Sequence, residues 1–164
     1  VKLMNEKVEE LGLKNTHFTN ASGLYDPNHY STVTDIAMLM SAVMKNDTCR
    51  EILGTYQYTT TATEQHPEGI LLESTMYSRM YGNEVTGISI DAGKTGYTDE
   101  AGNCLVSYAT DTEGKHFIAV PQGDGGDGVI KNTAANEVII PVREEGFQRR
   151  LIMGGDPAHA ESRK

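Results

Sequence analysis

Apolar residues recur at helical spacing at the start of the chain. Met4, Val8 and Leu11 fall at positions i, i+4 and i+7, charged residues lie between them, and Gly12 follows. This spacing places the three apolar side chains on one face of an α-helix. The pattern therefore predicts an amphipathic helix over residues 1–11 that ends before Gly12.

A second apolar helical face follows near residue 34. Its members are Ile36, Met40, Val43 and Met44. The sequence predicts a helix that is capped by Thr34 or Ser31 and closed by residues 45–46. Its methionines are expected to fill gaps in a core that contains few large rings. A short helix is also expected near residues 49–53.

In the second half of the chain, apolar and polar residues alternate as they do in β-strands. Strands are predicted at residues 85–90, 93–98, 104–110 and 115–120, with turns at 99–102 and 111–114. Short connections of this kind join antiparallel neighbours. The four segments therefore form a meander, and residues 94–97 form its accessible, ligand-facing edge.

The remaining segments are less regular. Residues 17–20 and the Tyr- and Thr-rich stretch 55–63 are predicted to be strands, and weak periodicity over 71–87 indicates an irregular segment along a surface or cleft. After residue 120, we expect a glycine-rich loop at 121–128, helix-like spacing over 130–145 that Pro141 interrupts, and a disordered end at 155–164. Together the elements predict an α+β fold, an antiparallel sheet flanked by helices.

Length and charge restrict the function. The 164 residues are enough for one domain with a core. A net charge of −9 argues against a nucleic-acid partner and against docking on anionic lipid. No apolar run is long enough for a membrane segment. Cys49 and Cys104 are expected to be free thiols, and the five His never fall at His-x-x-x-His spacing, so we expect neither a metal nor a cofactor.

The stretch Gly93–Thr98 has the chemistry to hold a carboxylate. Lys94 supplies a positive charge with three donors, and Thr95 supplies a short hydroxyl. Gly96 lacks the Cβ that would keep an extended peptide from pairing with the strand. The alternation of a strand would send the Lys94 and Thr95 side chains to opposite faces, so their joint use requires a twisted edge strand beside the cleft.

Longer strings around this stretch carry a family resemblance. Residues 93–109, GKTGYTDEAGNCLVSYA, and residues 11–24, LGLKNTHFTNASGL, closely resemble the low-molecular-weight penicillin-binding proteins that act as serine-type D-alanyl-D-alanine carboxypeptidases. Lys-Thr-Gly is one of the motifs of the penicillin-recognising serine enzymes. The resemblance covers residues 1–120 and implies the serine β-lactamase/DD-peptidase fold, with a divergent tail at 121–164.

The resemblance also implies roles for individual residues. Lys94, Thr95 and Gly96 would bind the substrate's terminal carboxylate, and the backbone N–H of Tyr97 would donate to the oxyanion. Arg79 lies fifteen residues before Lys94, where family members carry an arginine that helps to hold that carboxylate. The implied partners are peptidoglycan peptides that end in D-Ala-D-Ala, and β-lactam antibiotics as inhibitors. The implied location is outside the cytoplasmic membrane of a bacterium.

Two motifs of that family are absent from this sequence. No serine has a lysine three residues later, and no Ser-x-Asn occurs. We therefore expect the chain to be the C-terminal part of the catalytic domain, without its nucleophile and inactive alone. Two alternatives stay open: a non-catalytic module of the same fold that binds cell-wall peptides, and a β-lactamase.

Overall fold

The computed structural model describes residues 1–121 and the backbone of a strand at 137–142. Within these residues lie four helices and six strands. They are α1 (Lys2–Glu10), α2 (Val33–Val43), α3 (Asp47–Gly54), β1 (Gln57–Thr59), β2 (Leu71–Glu73), α4 (Thr75–Met80), β3 (Ile88–Thr98), β4 (Gly102–Asp111), β5 (His116–Pro121) and β6 (Glu137–Val142). None of these helices has the length and hydropathy that crossing a bilayer requires.

The main sheet is a four-stranded antiparallel meander in the order β3-β4-β5-β6. The predicted meander is confirmed, but its four strands are not the four predicted ones. Gly102 and Gly114 close its two short turns with φ angles of 67° and 76°, a region that strains residues with a Cβ. The predicted strands 85–90 and 93–98 are one strand, β3. Its register against β4 shifts between Ile90 and Ala92, so an irregularity at Asp91 replaces the expected break.

The prediction of helix-like structure around Val138 and Ile139 is wrong. Residues 137–142 form β6, which pairs antiparallel with β5 from Glu137 to Val142. The run is rich in β-branched residues, which favour strands, and Pro141 is tolerated because β6 is the outer strand of the sheet as described. The expected glycine-rich loop beyond residue 121 and the end at 155–164 lie outside the described residues.

The core lies between α2 and one face of the main sheet. Its buried members are Ala37, Met40, Met44, Ala92, Ile118 and Val120, so the expected packing of the α2 methionines is confirmed. The helix cap, however, is neither Thr34 nor Ser31. Thr32 has extended backbone angles, and its hydroxyl accepts a hydrogen bond from the Asp35 N–H at 3.2 Å.

The elements before β3 differ more from the sequence predictions. The helices expected at 1–11 and 49–53 are confirmed as α1 and α3, and the strand expected at 17–20 is reduced to one bridge between His17 and Tyr30. The strand expected at 55–63 is limited to β1, which pairs with β2. The segment 71–87 is not irregular throughout, because it contains β2 and α4.

Candidate functional site

Lys94, Thr95 and Gly96 lie in β3, the first strand of the main sheet. Their partners on β4 are Val106, Leu105 and Cys104. In the described part of the chain, no strand pairs with the other side of β3. The three residues therefore lie on an edge strand, where an extended peptide can add to the sheet.

Two clefts meet at this edge. The first has a volume of about 610 Å³ and lies between β3, α3, the β1-β2 hairpin and the start of α4. The second has a volume of about 460 Å³ and lies between β3, the start of α2 and the segment before it. Lys94 and Thr95 line both clefts, while Gly96 lines the second.

The two faces of β3 are packed by different helices. Ala92 belongs to the core under α2, whereas Gly93 lies against Met76 of α4. Strand alternation then places Lys94 on the α2 side and Thr95 on the α4 side. Because β3 is an edge strand with a cleft on each side, both side chains still border both clefts.

The Lys94 ammonium lies at the clefts and not in a surface ion pair. Its Nζ donates to the backbone oxygen of Thr95, and the side chain is exposed. Among the described residues, the ion pairs involve Lys2, Lys7, Arg50 and Lys115, and not Lys94. The charge is thus exposed where an anion could enter either cleft.

The two glycines of the Gly-Lys-Thr-Gly stretch face different surroundings. A Cβ built on Gly93 would lie 2.3 Å from Met76 Sδ and 2.7 Å from the Val106 carbonyl oxygen. A Cβ built on Gly96 meets no atom within 4 Å. Gly93 is therefore required by packing inside the protein, and Gly96 leaves space open beside the edge strand.

We expect Gly93→Ala to lower the free energy of unfolding by about 1–3 kcal/mol, the usual cost of overpacking. Gly96→Ala is the matched control and should change it by less than about 0.5 kcal/mol, as is usual for exposed sites. Urea denaturation of the two variants measures both values. Equal stability of the two variants would contradict the packing assigned to Gly93.

Thr75 is a site residue that the sequence did not single out. Its hydroxyl forms a hydrogen bond with the Thr95 hydroxyl, and both residues line the first cleft. The contact joins residues twenty positions apart, so no local pattern predicts it. The one available signal was Ser74, which precedes α4 as its N-cap residue.

Arg79 and Tyr97 lie at the margins of the site. Arg79 is exposed in the last turn of α4 and is not among the residues that line either cleft. The Tyr97 hydroxyl donates to Asp99 Oδ1 at 3.1 Å, and this hydrogen bond and the nearby negative charge raise the pKa of Tyr97. A substrate role for Arg79, and the oxyanion role of the Tyr97 N–H, remain predictions.

Cys104 lines the second cleft, opposite Gly96 in the strand register. Burial raises the pKa of its thiol, and less thiolate is therefore present at pH 8. In a Cys49→Ser variant, we expect iodoacetamide to alkylate Cys104 more slowly at pH 8 than it alkylates a cysteine in a short unstructured peptide. Mass spectrometry over time measures both rates, and equal rates would contradict the burial.

The described residues offer no cluster of three or more His, Cys, Asp or Glu side chains that could hold a metal ion. At the β3 edge, the described residues offer the ammonium of Lys94, the hydroxyls of Thr75 and Thr95, and the backbone groups of β3.

Comparisons with known proteins give a consistent result. A family model described as D-alanyl-D-alanine carboxypeptidase matches residues 1–124. D-alanyl-D-alanine carboxypeptidase DacF of Bacillus subtilis is 36% identical over 110 residues, which cover 66% of this chain and 26% of that protein. The chain thus spans about a quarter of the length of this curated relative.

Two solved structures share the fold. The D-alanyl-D-alanine carboxypeptidase of Mycobacterium tuberculosis aligns with a TM-score of 0.62 and 26% identity, over 80% of this chain and 46% of its own. A mutant of a Streptomyces DD-transpeptidase aligns with a TM-score of 0.64 and 31% identity, over 77% of this chain and 47% of its own. The expected partial DD-peptidase fold is confirmed.

Proposed function

Because this chain belongs to the D-alanyl-D-alanine carboxypeptidase family, we propose that its β3 edge binds peptides ending in D-Ala-D-Ala as part of a serine-type carboxypeptidase. The observation that carries the proposal is the junction of the two clefts at Lys94 and Thr95. There a lysine ammonium and a threonine hydroxyl lie beside the open space at Gly96. Charge-assisted hydrogen bonds of this kind suit a terminal carboxylate.

In the proposed reaction, a serine attacks the carbonyl carbon of the penultimate D-Ala and the terminal D-Ala leaves. Water then hydrolyses the acyl-enzyme. Lys94 and Thr95 would hold the terminal carboxylate, and the Tyr97 N–H would donate to the oxyanion. β-Lactam antibiotics would acylate the same serine. The natural substrates would be peptidoglycan stem peptides outside the cytoplasmic membrane.

We expect this chain alone to have no turnover, because none of its serines has a lysine three residues later. Incubation with a fluorescent penicillin should leave its intact mass unchanged, and incubation with a D-Ala-D-Ala peptide should release no D-Ala. An increase in mass equal to one penicillin would contradict this prediction. It would show that the chain contains an activated nucleophile.

A second candidate function for the same edge is a module that binds cell-wall peptides without cleaving them. Both functions require binding at the β3 edge. The two functions differ in whether a longer polypeptide that includes this chain releases D-Ala from a D-Ala-D-Ala peptide. Binding without release by that polypeptide would favour the module.

Stereochemical preference tests the binding proposal. A chemical-shift titration of the 164-residue chain should show weak, saturable binding of acetyl-D-Ala-D-Ala and weaker binding of acetyl-L-Ala-L-Ala. The two peptides carry the same charge, so only the fit beside β3 separates them. Equal affinities would count against a site for D-amino-acid peptides and would leave only a general anion site.

A further inference from the structure

We infer that Thr75 is a positioning residue for the Thr95 hydroxyl, which it orients toward a bound carboxylate. The inference rests on the proposed function of the β3 edge and adds a residue to it. Three observations carry it: the way α4 is fixed on β3, the hydrogen bond between the two hydroxyls, and their shared position on the first cleft.

The start of α4 is fixed on β3 by three consecutive residues. Thr75 bonds to Thr95, Met76 is buried against Gly93, and the Tyr77 hydroxyl donates to the Ile90 carbonyl oxygen at 3.2 Å. Just before the helix, the Ser74 N–H donates to the Tyr56 carbonyl oxygen at 2.8 Å. The position of the Thr75 hydroxyl is therefore set by a packed segment and not by a free loop.

When an anion binds, the chemistry of the two hydroxyls decides which of them donates the hydrogen bond between them. Each threonine hydroxyl has one proton to donate and lone pairs to accept with. A carboxylate accepts only, so Thr95 can serve it only by donating. Thr75 must then donate to Thr95 Oγ1. This arrangement fixes the Thr95 oxygen and leaves its proton for the ligand.

The location of the two hydroxyls indicates which group of the ligand they would meet, a carboxylate. Thr75 and Thr95 both line the first cleft, and Lys94 lies on its border. A carboxylate held there would receive a hydrogen bond from Thr95 and the charge of Lys94. Thr75 would contribute without touching the ligand, because it acts through Thr95.

Substitution at both threonines tests the inference. We expect Thr75→Val to weaken binding of acetyl-D-Ala-D-Ala by about 3- to 10-fold, the usual net effect of one neutral hydrogen bond. Thr75→Ser keeps the donor and should restore the affinity to within about twofold. In a Thr95→Val background, Thr75→Val should have no further effect, because the group through which it acts is gone.

Two results would overturn the inference. One is unchanged affinity in Thr75→Val, and the other is a full, independent loss from Thr75→Val in the Thr95→Val background. A backbone amide spectrum of each variant shows whether it is folded. The conservative Thr75→Ser variant retains a test if Thr75→Val fails to fold, because its affinity must follow that of the wild type.

A ligand-free measurement separates failure of this inference from failure of the proposed function. Three-bond couplings to the Thr95 methyl group report its χ1 rotamer in the free chain. We expect one rotamer in the wild type and an average of rotamers in Thr75→Val. Unchanged couplings would overturn the positioning role even if the dipeptide binds. A shift to averaged couplings in a chain that binds no dipeptide would instead support the contact and refute only the proposed function.

Discussion

Replacing Lys94 with methionine is expected to weaken binding of acetyl-D-Ala-D-Ala by about 10- to 100-fold. Hydrogen bonds to charged groups contribute about 1.5–3 kcal/mol, and methionine keeps most of the aliphatic stem while it removes the charge. Among the residues that the structure describes, Lys94 Nζ bonds to the backbone oxygen of Thr95 and to no acidic side chain. The substitution therefore leaves none of the described carboxylates without its partner, and the free energy of unfolding should change little.

Lys45→Met is the matched control for this prediction. Lys45 is exposed just beyond α2 and is not among the lining residues of the two clefts, and its loss changes the net charge by the same amount. We expect its affinity for the dipeptide to stay within about twofold of the wild type. A similar loss in both variants would show that overall charge, and not the position of Lys94, attracts the peptide. Raising the salt concentration should weaken the wild type more than Lys94→Met.

Asp35→Ala is expected to lower the free energy of unfolding by about 2–4 kcal/mol. The buried carboxylate of Asp35 accepts two hydrogen bonds on Oδ2, from the Asn15 N–H and from the Thr16 hydroxyl, each at 2.8 Å. It thereby connects the segment after α1 to the first turn of α2. Alanine would leave the Asn15 N–H without its acceptor and would leave the Thr16 hydroxyl only Ser31 Oγ, at 2.7 Å, as a partner. An unsatisfied buried group costs about 1–3 kcal/mol, and a hydrogen bond to a charged group contributes about 1.5–3 kcal/mol.

The control for Asp35→Ala is Asp35→Asn. Both bonds go to one oxygen, so an asparagine amide oxygen can take both of them, and the loss of stability should be clearly smaller. Urea midpoints of the two variants measure the difference. For a chain of this size, 1 kcal/mol corresponds to about 2–4 °C in Tm. Equal losses in the two variants would show that the charge, and not the acceptor oxygen, stabilises this segment.

The local patterns of the chain predicted much of the fold. The apolar face of α2 and the alternation of β4 and β5 are properties of a few consecutive residues, and the structure contains these elements nearly as expected. Residues 94–97 do lie on an edge strand as expected, but not for the expected reason. The strand predicted at 85–90 is not a separate neighbour of 93–98, because residues 88–98 form the single strand β3.

The continuity of β3 depends on contacts that are distant in sequence. Asp91, where the break was expected, accepts hydrogen bonds from Ser89 at 2.7 Å and from Thr110 on β4. Thr110 also bonds to His116 on β5 at 2.8 Å. These contacts hold the irregular residue within the sheet, and no window around Asp91 contains both partners.

The candidate site also depends on a contact between residues that are distant in sequence. The sequence identified Lys94 and Thr95 from a short motif, whereas it offered Arg79 because the resembling family carries an arginine at about the same distance before that motif. In the structure, the α4 residue that bonds to Thr95 is Thr75, one helical turn before Arg79. Sequence distance from Lys94 could not reveal the Thr75 contact, because the contact depends on which face of α4 packs on β3.

A comparison of two ligands tests the central claim, that the β3 edge binds the terminal carboxylate of a peptide. The 164-residue chain is titrated with acetyl-D-Ala-D-Ala and with its carboxamide while the backbone amide signals are recorded. We predict that the acid shifts the signals of residues 94–97 saturably and that the carboxamide, which lacks the charge, shifts them far less. Equal shifts with both ligands, or shifts confined to residues away from β3, would contradict the account.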